Sequence, residues 1–258
     1  MKLTIIGTGN MGGAIARALA GGTYIKSSDI TCTARSVETL NRYQENFNVT
    51  TDNRKAVRDA DIVVFAVKPW LMEGVVREVA SDMDTQRQMV VSIAAGVTFE
   101  QLSGWLGSSS ATIFRVIPNT AIEVGSGVTF VSSYNASDSQ KETVVGIFGE
   151  MGYVHEVEES MMASGTALAS CGIAYAMKYM KAAIEGGCEL GFAEEEARDI
   201  VEHTVKGAAE LLLSTGNTPQ VEIEKVTTPG GMTAKGLAAM DESGFSDAVI
   251  DGLKGCLK

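Results

Sequence analysis

The chain has 258 residues, of which 45% are hydrophobic and 21% are charged, as expected for a globular protein with a sizeable core. Its formal net charge of −11 argues against a nucleic-acid partner, because phosphate binding needs a basic surface. The four cysteines lack the spacing of a zinc site, and no long apolar run or signal-peptide pattern is present. We therefore expect a cytoplasmic protein without a metal or a membrane partner.

A strand followed by a glycine-rich turn opens the chain. Leu3–Ile6 is a continuous apolar run, typical of a strand buried on both faces. The next six residues are Gly7, Thr8, Gly9, Asn10, Met11 and Gly12, and apolar residues at helical spacing follow. The first glycine permits a tight turn, the second lets the backbone approach a pyrophosphate, and the third allows close packing of helix on strand. The pattern predicts a dinucleotide-binding loop.

The end of the second strand bears on the choice of cofactor. Ile30–Ala34 predicts this strand, and Arg35-Ser36 follows it. An NAD site usually has an acid here to bind the ribose 2′-hydroxyl, but Asp29 precedes the strand and Glu38 falls in the next predicted helix. A guanidinium and a hydroxyl suit a 2′-phosphate, which favours NADP(H), with NAD(H) as a less preferred cofactor. The alternative is that Arg35 is a solvated residue at the start of a helix.

Strands and helices then alternate along the first half of the chain. The predicted strands are Asp61–Val67, Met89–Ile93, Thr112–Ile117, Gly127–Val131 and Tyr153–Val157, and the predicted helices are Leu71–Val79, Phe99–Leu106 and Ser137–Gly149. This alternation predicts an α/β fold with a Rossmann-like, doubly wound and mostly parallel sheet. Ligands of such sheets bind at the carboxyl ends of the strands. Ala66-Val67-Lys68-Pro69 and Ala94-Ala95-Gly96 lie at two of these ends.

The second half of the chain contains only helical patterns. The predicted helices are Thr166–Leu190, Ala193–Ser214, Gln220–Val226, Ala234–Glu242 and Phe245–Leu257. We therefore expect a nucleotide-binding domain at residues 1–157 and an all-α domain at residues 158–258. The apolar faces and many small side chains of these helices indicate helix packing between subunits.

A loop of hydroxyls and glycines, Val226–Thr233, interrupts these helices. Glycine N–H groups and threonine hydroxyls can bind a carboxylate, so the loop is a candidate substrate site. The alternative is a connector whose threonines cap the following helix. The residues alone favour neither interpretation.

Several motifs taken together resemble the pyrroline-5-carboxylate reductase family over nearly the whole chain. They are GTGNMG at 7–12, AVKP at 66–69, SIAAGV at 92–97, RVIPNT at 115–120 and VTTPGGMT at 226–233. The resemblance implies a Rossmann domain followed by a helical dimerisation domain, with homodimers and also larger rings of dimers. It implies hydride transfer from NADPH to the C=N bond of 1-pyrroline-5-carboxylate to give L-proline, the last step of proline biosynthesis.

The resemblance also implies roles for individual residues. Loop 7–12 would bind the pyrophosphate, the segment Ala34-Arg35-Ser36 the 2′-phosphate, and Asn53 the adenosine ribose. Residues 66–69 and 94–96 would line the path to the nicotinamide. Thr228, Gly230 and Gly231 would surround the substrate carboxylate, and Thr233 would lie near the ring nitrogen as the catalytic residue.

The chain departs from the family pattern at two places. Leu168-Ala169-Ser170-Cys171-Gly172-Ile173-Ala174-Tyr175 stands where the family has Ser-Gly-Ser-Gly-Pro-Ala-Tyr, and Met232 replaces a small or hydroxyl residue. Neither departure involves Thr233.

Two other functions remain as alternatives. A β-hydroxyacid-dehydrogenase-like NADP enzyme would need a catalytic lysine four residues after the second glycine of a G-x-G-x-x-x-K pattern, but here Lys178 lies six residues after Gly172. A non-catalytic NADP(H)-sensing protein would share the glycine loop, but it has no need of a Thr/Gly substrate loop.

Overall fold

The structure is a computed structural model, and it describes residues 1–257. The chain forms two compact units, Met1–Ser170 and a second one from Cys171 onward. The domain boundary that we predict after residue 157 stays a prediction, because the compactness of a segment does not show whether it folds independently.

An eight-stranded sheet forms the centre of the first unit. Its strands are β1 (Leu3–Ile6), β2 (Ile30–Thr33), β3 (Asn48–Thr50), β4 (Ile62–Phe65), β5 (Met89–Ser92), β6 (Thr112–Pro118), β7 (Gly127–Tyr134) and β8 (Gly152–Glu156). The order is β3-β2-β1-β4-β5-β6-β7-β8, so the first six strands follow the Rossmann order. β7 runs antiparallel to β6, and β8 runs parallel to β7. The predicted Rossmann-like, mostly parallel sheet is confirmed.

The first six helices of this unit connect the strands, and the seventh follows β8. They are α1 (Asn10–Ala20), α2 (Val37–Leu40), α3 (Asn53–Val57), α4 (Pro69–Val79), α5 (Phe99–Leu106), α6 (Asp138–Gly149) and α7 (Met162–Gly165). The local sequence determines where several of these helices begin. Thr98 and Ser137 each form a capping box, with Gln101 and Gln140 respectively, and Pro69 occupies the first turn of α4, where its missing N–H costs no hydrogen bond.

The sheet is buried on both faces, and alternate residues of its strands serve the two cores. In β4, Ile62 and Val64 join one hydrophobic cluster, with side chains from α1 and α6. Val63 and Phe65 join the other, with side chains from α4 and α5. This two-sided burial explains why the strands of the first unit are nearly continuous apolar runs.

The second unit consists of helices. They are α8 (Gly172–Glu189), α9 (Glu194–Thr215), α10 (Pro219–Val226), α11 (Met232–Glu242) and α12 (Phe245–Gly255). A π-helical segment, Thr166–Cys171, precedes α8, so the predicted helix Thr166–Leu190 begins with a wider turn. Among the hydrophobic residues 171–257, Ala197 alone is buried.

None of the helices within residues 1–257 combines the length and the apolar character that a membrane crossing requires.

Candidate nucleotide and substrate sites

The glycine loop after β1 is pressed against the end of β4. Gly7 has a φ of +94°, and a Cβ at this residue would lie 2.7 Å from Cγ1 of Val67. A Cβ on Gly12 would overlap the carbonyl oxygen of Gly7 and lie 2.9 Å from the Cβ of Ala66. A Cβ on Gly9 would have no neighbour within 4 Å. Two glycines thus permit close packing, while the third leaves the outer side of the loop open to a ligand.

Hydrogen bonds to β2 hold this loop in place. The carbonyl oxygen of Thr33 accepts bonds from the backbone N–H of Gly7 at 3.1 Å and from that of Thr8 at 2.9 Å, and also from the hydroxyl of Thr8 at 2.9 Å. No side chain caps the start of α1, whose N-cap is Gly9. The first N–H groups of α1 therefore remain available to an anion, as a pyrophosphate site requires.

Arg35 and Ser36 follow β2 at the same edge of the sheet. Arg35 is exposed, and within residues 1–257 it forms no ion pair. The Oγ of Ser36 accepts a hydrogen bond from the N–H of Thr39 at 3.3 Å and so caps α2. A capping role for Ser36 was not part of the prediction, and it leaves the guanidinium of Arg35 as the charged group at this strand end.

Asn53, at the start of α3, contacts the end of β2. Its Oδ1 accepts a hydrogen bond from the hydroxyl of Thr33 at 2.6 Å, and its Nδ2 donates to the Glu78 carboxylate at 3.4 Å. Asn53 therefore lies beside the residue that anchors the glycine loop. The structure brings the loop, Arg35 and Asn53 together, although they are far apart in the sequence.

The two other predicted cofactor segments lie at the carboxyl ends of β4 and β5. Ala66 donates its N–H to the carbonyl of Ile6 at 2.8 Å, so it lies next to the glycine loop, and Lys68 is the exposed N-cap of α4. In the second segment Ala94 is buried, while Gly96 has a φ of +79° and open space around it. The strand order reverses between β1 and β4, which is where doubly wound sheets bind nucleotides.

An ion pair of a buried arginine with a partly exposed glutamate supports this edge of the sheet, and sequence reasoning missed it. Arg115 of β6 is buried, and its Nη1 donates to Oε1 of Glu159 at 2.9 Å. The same oxygen accepts the backbone N–H of Phe99 at 2.7 Å, at the start of α5. The pair thereby holds the helix that follows Ala94–Gly96. Its signal in the sequence was an arginine inside an otherwise apolar strand.

The Thr/Gly loop of the second unit forms a defined turn. The N–H of Gly231 donates to the carbonyl of Thr228 at 2.9 Å, and Gly230 has a φ of +71°. With Pro229 before it, this is the pattern of a type II turn, which requires glycine at the third position. A Cβ on Gly231 would overlap the Oγ1 of Thr228, so both glycines are needed for the shape of the turn.

The turn leads directly into α11, where Thr233 lies in the first helical turn and is exposed. The N-cap is Gly231, and no side chain caps the helix. The hydroxyl of Thr227 donates back to the carbonyl of Ile223 at 2.6 Å. The threonines therefore do not cap α11, and the first N–H groups of α11 have no intrahelical partners. Backbone donors and the hydroxyl of Thr233 thus lie at one helix end.

A Rossmann-type sheet with this glycine loop is the architecture of a dinucleotide-dependent oxidoreductase. Residues 2–96 match the family model described as NADP oxidoreductase, coenzyme F420-dependent, which agrees with the predicted cofactor class. Residues 159–258 match the model described as pyrroline-5-carboxylate reductase dimerisation. The chain belongs to the pyrroline-5-carboxylate reductase family, and its second half carries the dimerisation domain of that family.

Individual relatives support this assignment. Pyrroline-5-carboxylate reductase 2 of Dictyostelium discoideum is 32% identical over 98% of this chain and 89% of its own length, and the Arabidopsis thaliana reductase is 31% identical over 100% and 93%. Pyrroline-5-carboxylate reductase 1 of Dictyostelium discoideum is 34% identical over 97% of this chain. This chain spans only 48% of the length of that relative.

Solved structures of the same family have the same fold. The Coxiella burnetii pyrroline-5-carboxylate reductase has a TM-score of 0.92 and 31% identity, and covers 99% of this chain and 95% of its own. The Plasmodium falciparum pyrroline carboxylate reductase, solved with NADP bound, has a TM-score of 0.90 and 28% identity, with the same coverage. Family membership argues against the hydroxyacid-dehydrogenase alternative, and Lys178 stays an exposed residue of α8.

Proposed function

We propose that this chain catalyses the NADPH-dependent reduction of 1-pyrroline-5-carboxylate to L-proline, the last step of proline biosynthesis. The observation that carries the proposal is the turn at Thr228–Gly231, which leads into an uncapped helix with Thr233 in its first turn. In a chain of this family, that arrangement supplies N–H donors for the carboxylate of a small cyclic imine and a hydroxyl for its ring nitrogen. The relatives that carry this name support the same activity.

The substrate carboxylate would bind to backbone N–H groups at the start of α11, where the helix dipole favours a negative charge. The N–H of Gly231 is already used by the turn, so the available donors are those of the residues after it. Gly230 and Gly231 carry no side chains and let the carboxylate approach the backbone.

Thr233 would act at the ring nitrogen of the substrate. An imine becomes electrophilic enough for hydride attack when its nitrogen is protonated, and the Thr233 hydroxyl can accept a hydrogen bond from that N–H. It can then donate a hydrogen bond to the neutral amine of the product. A strong acid is not required, because positioning supplies much of the catalysis in such enzymes.

The cofactor, NADPH, supplies the hydride when it is bound. The open side of the glycine loop, residues 7–12, fits a pyrophosphate, since Gly9 has free space where a side chain would stand. Arg35, with Ser36 beside it, would bind the 2′-phosphate, and Asn53 the adenosine ribose. The segments 66–69 and 94–96 would line the path to the nicotinamide.

The proposed assembly is a homodimer formed by the C-terminal helices, and larger rings of such dimers are also proposed. Large apolar side chains are exposed along these helices, including Met177, Ile200, Leu211 and Ile250. A second copy of the chain would cover them and give the helices the core that one copy lacks. The proposed compartment is the cytoplasm.

The test is turnover of 1-pyrroline-5-carboxylate, followed by the absorbance of the reduced nicotinamide. We expect Thr233→Ala to lower kcat/KM by about 10- to 100-fold, which corresponds to the free energy of one hydrogen bond to a charged group. Thr233→Ser should retain most of the activity. Thr227→Ala is the matched control, since that hydroxyl bonds to the carbonyl of Ile223, and its kcat/KM should stay near that of the wild type.

Absence of turnover in a wild-type protein that binds NADPH would refute the proposed reaction. Full activity of Thr233→Ala would refute only the role of the hydroxyl. Repeating the assay with NADH tests the cofactor preference. Arg35→Ala should raise KM for NADPH by about tenfold and leave KM for NADH unchanged.

A further inference from the structure

A row of buried polar side chains crosses three neighbouring strands of the sheet. Ser92 ends β5, and strand pairing places it in register with Arg115 of β6, which is in register with Ser132 of β7. The three residues are 1%, 7% and 5% exposed, respectively. Ile113 lies two residues before Arg115 and packs in the cluster with side chains from α4 and α5. Because strand residues alternate between faces, the polar row lies on the face that these helices cover.

Arg115 is the charged member of this row. Its side chain is 8% exposed, and its Nε has no hydrogen-bond partner among residues 1–257. Burial of a charge is unfavourable, and apolar residues of similar size often replace a buried ion pair without loss of stability. The core of the first unit therefore does not require an arginine here, and the contacts of its partner, Glu159, indicate what the arginine does.

Glu159 connects Arg115 to the start of α5. Its Oε1 accepts a hydrogen bond from Nη1 of Arg115 at 2.9 Å and another from the backbone N–H of Phe99 at 2.7 Å. Phe99 is the first residue of α5, where a backbone N–H has no acceptor within the helix. The N-cap residue, Thr98, accepts the N–H of Gln101 instead. Glu159 thus provides a second cap for α5, and Arg115 holds its carboxylate in place.

The segment Ala94-Ala95-Gly96 is attached at both ends to this polar group. At the first end, the N–H of Ala94 donates to the Oγ of Ser92 at 3.4 Å. At the other end, two residues separate Gly96 from the anchored Phe99. The last two residues of the segment are exposed, and Gly96 has a φ of +79°, which a flexible glycine does not maintain by itself. The position of the exposed backbone therefore depends on where α5 begins.

We propose that Arg115 and Glu159 are positioning residues for the nicotinamide end of the cofactor. They fix the start of α5 and thereby the exposed backbone of residues 95–96, against which the nicotinamide would bind. This inference rests on the proposed path of the nicotinamide along residues 94–96. The proposed adenosine site lies at the ends of β1 and β2, on the other side of β4 in the sheet. Loss of the ion pair should therefore weaken binding at one end of the cofactor only.

The experiment compares two probes, NADPH and adenosine 2′,5′-bisphosphate, which carries the 2′-phosphate but lacks the nicotinamide. Isothermal titration calorimetry measures the binding of each probe to the full chain. In Arg115→Met we expect the Kd for NADPH to rise about tenfold, because a small displacement of the segment misplaces its contacts with the nicotinamide. The Kd for adenosine bisphosphate should stay unchanged. These measurements need no turnover, so they test the positioning role even if the chain does not reduce 1-pyrroline-5-carboxylate.

Variants of Glu159 test the route through Phe99. Glu159→Ala removes the acceptor for the N–H of Phe99 and should raise the Kd for NADPH as much as Arg115→Met does. Glu159→Gln keeps an oxygen that can accept this bond and should retain most of the affinity. Arg87→Met is the matched control, since Arg87 pairs at 2.8 Å with Asp61, at the opposite, amino end of β4. Both probes should bind this control as they bind the wild type.

The proposal is overturned if both probes bind more weakly to the same degree, since the ion pair would then support the fold in general. It is also overturned if Arg115→Met and Glu159→Ala bind NADPH as the wild type does, or if Glu159→Gln is as weak as Glu159→Ala. The ring of Phe99 stacks on Tyr134 at 5.6 Å and keeps α5 attached without the ion pair. The partly exposed Glu159 can therefore be replaced in a folded protein even if Arg115→Met does not fold.

Discussion

The two units of this chain differ in where their hydrophobic residues lie. In the first unit, both faces of the sheet pack against helices, and side chains such as Ile5, Phe65 and Phe114 are fully buried. In the helical unit, Ala197 is the buried hydrophobic residue among positions 171–257. The first unit therefore has a complete core within one chain, whereas the second has its apolar side chains exposed.

The difference shows that one sequence can contain two kinds of folding unit. A Rossmann sheet buries its strands between its own helices, so its hydrophobic core lies within one chain. Helices with apolar residues on several faces and no buried centre need another set of helices. The proposed substrate loop lies in the helical unit, so activity should depend on assembly more than nucleotide binding does.

The largest expected effect concerns the first unit, which has its core within one chain. In Gly12→Ala, the new Cβ overlaps the carbonyl of Gly7, a backbone atom that cannot move away cheaply. We expect a loss of about 3 kcal/mol in unfolding free energy and no detectable NADPH binding, measured by denaturant unfolding and by quenching of the protein fluorescence.

Gly9→Ala is the matched control for this change. Its Cβ has no neighbour within 4 Å, so the unfolding free energy should stay within about 0.5 kcal/mol of the wild type. NADPH binding should still weaken, because the added methyl occupies the space proposed for the pyrophosphate. Equal stability of the two variants would contradict the packing role assigned to Gly12.

The second prediction concerns the unit that needs a partner. Ile250 of α12 is 46% exposed. It lies off the helix face that carries Gly252 and Phe245, and Phe245 packs on Tyr179. Ile250→Asp should weaken dimerisation by about 2 kcal/mol, or roughly thirtyfold in the dissociation constant, because the dimer would bury a charge. Sedimentation velocity across a range of concentrations measures this change.

A control for this prediction lies in the first unit. Val124 is 77% exposed, so it is more accessible than Ile250, and it belongs to the unit with its own core. Val124→Asp should leave the dissociation constant unchanged. An unchanged dissociation constant in Ile250→Asp would show that α12 does not contribute to the dimer.

The smallest expected effect concerns the pH dependence of stability that Cys32 causes in the core of the first unit. Burial of Cys32 in β2 raises the pKa of its thiol from 9.0 to about 12, because the core disfavours the thiolate. The folded pKa lies above the unfolded one, so the stability that this group contributes is present below pH 9 and is lost as the pH rises from 9 to 12. Between pH 8 and pH 10, the difference in unfolding free energy between wild type and Cys32→Ala should decrease by about 1 kcal/mol.

Chemical unfolding at several pH values measures this difference. Val64→Ala is the control, since Val64 is as buried as Cys32 and has no titratable group, and its difference in unfolding free energy from the wild type should not change with pH. If the difference in unfolding free energy between wild type and Cys32→Ala also stays constant with pH, the thiol is accessible to solvent in the folded protein.

Much of the fold could be predicted because its signals are local. The apolar runs of β1 and β4, the glycine loop between β1 and α1, and the turn residues at Pro229–Gly231 each carry their information within a few neighbours. The short strand β3 was missed because Asn48–Thr50 has no apolar run, and pairing with β2 holds it in the sheet. The antiparallel direction of β7 follows from its pairing with β6, which no local pattern shows.

The sequence by itself determined the type of each long element, the position of the glycine loop and the family to which the chain belongs, because these depend on residue type and on spacing between near neighbours. Only the tertiary structure decided which distant residues meet. Asn53 contacts Thr33, Glu159 pairs with Arg115, and Cys256 reaches Tyr175. The physical reason is that side-chain hydrogen bonds and ion pairs act over a few ångströms, and strand order and helix packing set which residues come that close.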